Sequence, residues 1–206
     1  DLNLEVEVAS RGTCSNHTCS CAYLRNPVSY HSATSIAITE ADEQHKLLFL
    51  SINLRDPHRM WYHSEDAAYG FARPSHIFTT ADVPPRAVYS FMAASRDDPN
   101  VRSEMAAYLS AVRRMDDCVG AVMAALRTRR LVNETMIIFG NDHGMAWPAV
   151  KAHLYHHSTS VPLIVSWGGR IAPGVIDTTH LVSTIDILPT LLALSPPRDD
   201  GNTAFP

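Results

Sequence analysis

Charge is what this sequence is shortest of. Lys, Arg, Asp and Glu make up only 18% of the 206 residues, the formal net charge is −4, and Lys and Arg never run longer than two. A basic footprint is therefore missing, and no nucleic-acid partner is expected. No apolar stretch approaches the roughly twenty residues that cross a membrane, so no membrane span is expected either. The first twenty residues have no basic start leading into an apolar core, so no signal peptide is read there. The chain begins with Asp1 and not Met, which reads as a processed, trimmed or partial sequence. There is no internal repeat. Cysteine is scarce: Cys14, Cys19 and Cys21 cluster, and Cys118 stands apart. Even with His17 among them, the first three fit no common zinc spacing; a local disulfide or free thiols is the expectation. Apolar residues, at 46%, suffice for one domain with a sizeable core.

Residues 1–45 carry little pattern. Leu2, Leu4, Val6 and Val8 alternate as in a short strand, and Ser10 to Glu40 reads as loop or edge structure. Order is expected from Leu47, where a buried strand runs to Asn53 and stops at Pro57. Residues 60–100, with Pro74, Pro84-Pro85 and Asp97-Asp98-Pro99, read as a long surface excursion. A long helix follows, started by Asp98-Pro99 or Asn100. Its predicted apolar stripe is Met105, Tyr108, Leu109, Val112, Met115, Val119, Val122, Met123 and Leu126. Arg127, Arg129 and Arg130 suit its negative end, Gly120 is read as a point of close approach to a sheet, and Cys118 as a core or flank residue. Strands are expected over Thr135–Gly140 and Val161–Ser166, a last helix from Ser183 or Thr184, and a frayed tail over Ser195–Pro206. Alternating strands and helices predict an α/β fold with a mixed, mostly parallel sheet flanked by helices.

Within that frame, Ile137-Ile138-Phe139-Gly140-Asn141-Asp142-His143-Gly144 delivers a carboxylate and an imidazole to a strand's carboxyl end, with Lys151 a short loop beyond. In open α/β sheets ligands bind there. Asp142 and His143 are candidates to hold a divalent metal or pass protons, and Lys151 offers a point charge to an anion. A strand-end turn in which Asp142 and His143 only cap backbone groups uses the same residues. Asp56, His58 and Arg59 form a second such end. Asn16 and Asn133 begin glycosylation sequons, a weak sign of a secretory compartment.

Several of these motifs, in this order, resemble the sulfatases: Asp56-Pro57-His58-Arg59, Val101-Arg102-Ser103-Glu104, Arg114-Met115-Asp116-Asp117-Cys118-Val119-Gly120, Asn133 through Gly144, and Ser183 through Leu192. The resemblance covers residues 46–195 and is nearest to the heparan N-sulfatase branch. It implies an alkaline-phosphatase-like α/β fold of which 46–206 is the latter part, incomplete on its N-terminal side, with 1–45 unassigned. It implies hydrolysis of sulfate esters or sulfamates, on sulfated sugars such as glycosaminoglycans, in a lysosomal or secreted setting. One divalent metal is implied, Ca²⁺ first, with Zn²⁺ or Mn²⁺ as alternatives. Asp142 and His143 take the metal positions, His58 and Lys151 the catalytic positions against sulfate and leaving-group oxygens, and Arg59 and His156 substrate positions. The usual Asp-Asp pair is missing from residues 1–45, and Cys21-Ala22-Tyr23-Leu24-Arg25 carries Tyr23 where Pro or Ala belongs, so no nucleophile is assigned. His143 stands where that branch more often has Asn, and imidazole suits zinc or manganese better than calcium. Two other readings stand beside it: a metal-dependent phosphodiesterase or phosphonate hydrolase of the same superfamily, and a non-catalytic anion-binding domain. A homo-oligomer is compatible with all three.

Overall fold

A computed structural model of the protein describes residues 5–8, 25–83 and 98–194. The cysteine cluster, Asn16 and the tail from Ser195 lie outside the described residues. In chain order the elements are β1 (Glu5–Val8), α1 (Pro27–Glu43), β2 (Phe49–Ile52), α2 (Pro99–Thr128), β3 (Ile137–Gly140), α3 (His156–Thr159), β4 (Leu163–Ser166) and α4 (Ile187–Leu194). Short 3₁₀ turns occupy Ser64–Tyr69, Thr80–Asp82 and Thr184–Asp186.

Among the described residues the strands make two separate ladders. β1 pairs with β2 in parallel, Glu5 opposite Phe49, and β3 pairs with β4 antiparallel, Ile137 opposite Ser166. The strands were expected to be buried, and they are not. Phe49 is 47% exposed and Ile164 58%: in two-stranded ladders little of a sheet face is covered, and within each described pair every strand also keeps one unpaired edge.

From Pro27 onward, the helix α1 replaces the loop expected up to Glu40. Asn26 accepts the Val28 amide, and Pro27 sits at the first helical position, where its missing N–H costs nothing. The buried face is Tyr30, Thr34, Ala37, Ile38 and Ala41, a helical spacing built from small and polar residues. Thr34 satisfies its own hydroxyl on the Tyr30 carbonyl at 2.8 Å, so burial costs it little. That composition hides the period from a hydrophobicity reading. α1 packs against α2, and the Tyr30 hydroxyl donates to the Asn53 carbonyl at the end of β2.

The helix α2 begins where expected, with Asp98 accepting the Asn100 amide at 2.7 Å and Pro99 leading the first turn. Its buried face differs from the predicted stripe. Met105 and Leu126 are buried as expected, but Ala106, Ser110, Ala111, Arg114, Cys118 and Ala125 complete the face, and the other predicted positions are only half-buried. Gly120 is exposed with open space where a side chain would start, so it makes no close approach.

The core gathers Trp61, Val83, Met105, Ala106, Ala111, Trp147 and Val150. Trp61 and Val83 come from the predicted surface excursion, whose described part is thus anchored inward by bulky apolar side chains. Past β4 the chain turns its apolar residues outward, Ile176 at 84% and Leu181 at 101% exposure. Ser183 and Asp186 form a capping box ahead of α4.

Candidate active site

The carboxyl ends of β2 and β3 face one another across an open cleft of about 350 Å³. Asn53 to His58 line one side, Asn141 to Ala146 and Lys151 the other, and Tyr108 and Met115 of α2 form part of its wall. His58, Asp142, His143 and Lys151 are therefore brought together. Tyr108 and Met115, predicted as core stripe, face this cleft.

Local chemistry orients each side chain. His58 is exposed, its amide donates to the Arg55 carbonyl at 3.0 Å, and its Nδ1 contacts the Arg59 carbonyl. A carbonyl only accepts, so the proton sits on Nδ1 and Nε2 is left for proton exchange. His143 repeats the arrangement, Nδ1 donating to the Gly144 carbonyl at 2.7 Å while Nε2 lies 3.4 Å from Asp142 Oδ2. The Asp142 carboxylate also accepts the His143 amide at 2.9 Å, so the strand-end cap is real, yet its side chain stays 85% exposed.

Gly144 is required at its position. A Cβ there would lie 2.0 Å from the His157 carbonyl oxygen, and the Gly144 amide donates to the Ser158 carbonyl. This close approach pins the Asp-His-Gly turn to α3. Lys151 is presented by a tight loop in which Val150 is fully buried and the flanking Ala149 and Ala152 adopt left-handed backbone, φ 58 and 67. Non-glycine residues take that conformation only when the surroundings over-determine it. Trp147 supplies that anchor: it stacks on Trp61 at 5.5 Å, and Trp61 donates through Nε1 to the Pro57 carbonyl at 3.2 Å. One aromatic pair thereby ties the His58 turn to the Lys151 loop.

Beneath the His58 turn lies a charge cluster that sequence reasoning missed. Arg114, with its side chain fully buried, grips Asp56 at 2.6 and 3.2 Å, Asp66 at 2.8 Å and the Ala72 carbonyl at 3.2 Å. Arg25 pairs with Asp56 at 3.1 Å and donates to the His58 carbonyl at 3.1 Å. Burial pulls the Arg25 guanidinium below its ordinary pKa despite Asp56. Burial acts on Arg114 in the same sense, but hydrogen bonds and charge from Asp56 and Asp66 outweigh it and hold its pKa up. The one available signal was register: Arg114 falls on the same helical face as Ala106, Ser110 and Cys118, where a charge demands a buried partner.

Two predicted residues lie apart from the cleft lining. Arg59 stacks over Trp61 at 4.8 Å and pairs with Glu104 at 3.0 Å, both ends exposed. His156 is exposed on α3 beside His157. Asn133 is exposed after α2, its amide oxygen filling the space a Gly168 side chain would need. Asp142 and His143 offer two donors that could hold a divalent cation, and among the described residues no group of three acidic, imidazole or thiol side chains converges. Two donors fit part of such a site, and Asp56 cannot complete it because both its oxygens serve arginines.

The sulfatase family model matches residues 8–196, and the chain belongs to the sulfatase family. Membership implies an alkaline-phosphatase-like α/β fold, to which the helices and both ladders contribute.

Among individual relatives, human N-sulphoglucosamine sulphohydrolase is 35% identical over 101 residues, covering 46% of this chain and 19% of the relative. Human arylsulfatase A is 32% identical over 106 residues, 46% of this chain and 20% of the relative. The choline-sulfatase of Rhizobium meliloti is 33% identical over 106 residues, 48% of this chain and 19% of the relative. The matches thus span about a fifth of the length of each relative.

Proposed function

We propose that the cleft between the ends of β2 and β3 receives the sulfuryl group of a sulfate ester or sulfamate, as part of a hydrolase acting on sulfated sugars. The observation that carries this is the convergence of His58, Lys151, Asp142 and His143 on one opening. In cleavage the bond between sulfur and the leaving atom breaks, charge grows on the peripheral and leaving oxygens, and fixed cations stabilise it. Lys151 supplies such a charge from a loop already locked in place. His58 Nε2, when protonated, gives its proton to the leaving atom as a general acid. The sulfur ends up on an attacking oxygen whose source in this chain is unassigned.

In this reading Asp142 and His143 are two of the ligands of a divalent metal, Ca²⁺ first and Zn²⁺ or Mn²⁺ next, the remaining ligands coming from elsewhere. When bound, such an ion withdraws charge from the sulfuryl oxygens. Arg59 and His156, outside the cleft lining, meet the sugar beyond the sulfate. A lysosomal or secreted setting and glycosylation at Asn133 belong to the same proposal.

Titration with inorganic sulfate, followed by calorimetry, tests the reading. Saturable binding that weakens at least tenfold in Lys151→Ala and in His58→Ala is expected, whereas equal binding in all three proteins refutes it. The His143 imidazole, a nitrogen donor whose Nε2 lies beside the Asp142 carboxylate, favours a second reading as a phosphodiesterase. Release of nitrophenol from bis(4-nitrophenyl) phosphate but not from 4-nitrophenyl sulfate, with Zn²⁺ or Mn²⁺ added, selects it. Sulfate binding without turnover of either ester selects an anion-binding domain.

A further inference from the structure

We infer that the buried cluster Arg25–Asp56–Arg114–Asp66 is a positioning device that fixes His58 in the cleft; the inference rests on the role given to His58 above. Its members come from four places: the stretch ahead of the α1 N-cap, the turn after β2, the 64–69 turn and the middle of α2. Each side chain is buried, with residue exposures of 4%, 5%, 0% and 7% in the order named. Two guanidiniums and two carboxylates neutralise one another, so the cluster adds no net charge to the opening. What it contributes is geometry.

The connection to His58 is direct. Asp56 begins the turn and is gripped by the Arg114 fork at 2.6 and 3.2 Å, while the Arg25 guanidinium faces it as an ion pair, Nε at 3.1 Å without hydrogen-bond alignment. Arg25 then reaches past Asp56 and donates through Nη2 to the His58 carbonyl at 3.1 Å. The His58 amide is already held by the Arg55 carbonyl. With both backbone polar groups occupied, ring direction is left to the single Nδ1 contact with the Arg59 carbonyl, which aims Nε2 as a free group.

An apolar plug would join the same four elements at a lower desolvation cost. It could not offer a rigid, planar cation that faces a carboxylate while its Nη2 donates to the His58 carbonyl. Asp56 lines the cleft but spends both oxygens on arginine, so it acts on the reaction only through His58. These four are positioning residues.

The experiment compares the wild-type chain with Arg25→Lys and Asp66→Asn. Lysine keeps a charge opposite Asp56 but lacks the planar guanidinium whose Nη2 donates to the His58 carbonyl while its charge faces Asp56. Asparagine at 66 loosens Arg114 from the far side without touching the turn. The readouts are amide hydrogen exchange at His58, the His58 Cε1–H resonance against pH, and the Kd for inorganic sulfate. We expect Arg25→Lys to keep its thermal midpoint within a few degrees, to lose at least tenfold in His58 amide protection, and to bind sulfate at least fivefold more weakly. Asp66→Asn shifts the same readouts in the same direction by less, with protection across Ala121–Leu126 of α2 unchanged. Wild-type exchange and resonance at His58 in both variants overturn the inference. If the wild-type chain itself ignores sulfate, the functional reading fails, and exchange at His58 still decides whether the cluster positions that residue.

Discussion

Replacing Arg114 with methionine, similar in length but uncharged, removes the hub of the buried cluster. Asp56 and Asp66 then stay inside the protein with only Arg25 to share, since Arg114 had supplied three contacts to their carboxylates and one to the Ala72 carbonyl. Removing one partner from a buried ion pair costs about 3–5 kcal/mol, mostly because the remaining charge is stranded. A domain with total stability of roughly 5–15 kcal/mol loses a large share of it. The neighbouring residue is the control. Arg113 pairs with Asp116 at 3.2 Å and Asp117 at 3.3 Å, but its side chain is 42% exposed. Water and salt screen that pair, and Arg113→Met should cost only about 0–1 kcal/mol. In urea unfolding followed by circular dichroism, with a slope of about 2 kcal/mol/M, Arg114→Met should bring the midpoint down by about 2 M. Arg113→Met should move it by less than about 0.5 M. Equal shifts for the two adjacent arginines would refute the claim that burial and connectivity set their worth.

Gly144→Ala pushes a methyl into the His157 backbone carbonyl and against the buried Val150 side chain, and should cost about 1–3 kcal/mol by thermal unfolding while weakening sulfate binding. Trp61→Phe should destabilise more than Trp147→Phe, because Trp61 loses its bond to the Pro57 carbonyl whereas the buried Trp147 indole N–H has no partner among the described residues. Burial, followed by the charges of Asp56 and Asp117, pushes the Cys118 thiol up to about 12. Mass-mapped alkylation at pH 8 should therefore leave Cys118 unmodified until denaturant is added, and fast native labelling would contradict this. The Thr179 and His180 amides hold the Asp177 carboxyl well below its ordinary range. Its stabilisation of the 177–180 turn is present above the ordinary carboxylate pKa and fades only as pH falls through the lowered value. Titration of its carboxyl carbon by NMR should show that order, and an ordinary midpoint would contradict it.

Much of the site was legible because its signals are local. The Asp142-His143-Gly144 strand end, Lys151 beyond it and the Asp56–Arg59 turn are contiguous patterns. The Asp98-Pro99 start of α2 is a capping rule written in adjacent residues. What was misread involves partners far apart in the chain. Helix α1 hides its period because Thr34, Ala37 and Ala41 are small or polar, and only α2 packed over them makes that face a core. Burial of β2, β3 and β4 was inferred from apolar runs, yet a run says nothing of how many neighbours a strand will have.

Sequence alone therefore determined the kinds of chemistry on offer and the family, since these depend on residue types at short spacing and on motif order. Tertiary structure decided which residues share one opening. It joined His58 to Lys151 through the Trp61–Trp147 stack and left Arg59 with Glu104. It also turned Asp56 from a cleft acid into the clamp beneath His58, because two arginines, 31 residues before it and 58 after it, meet it where water is excluded.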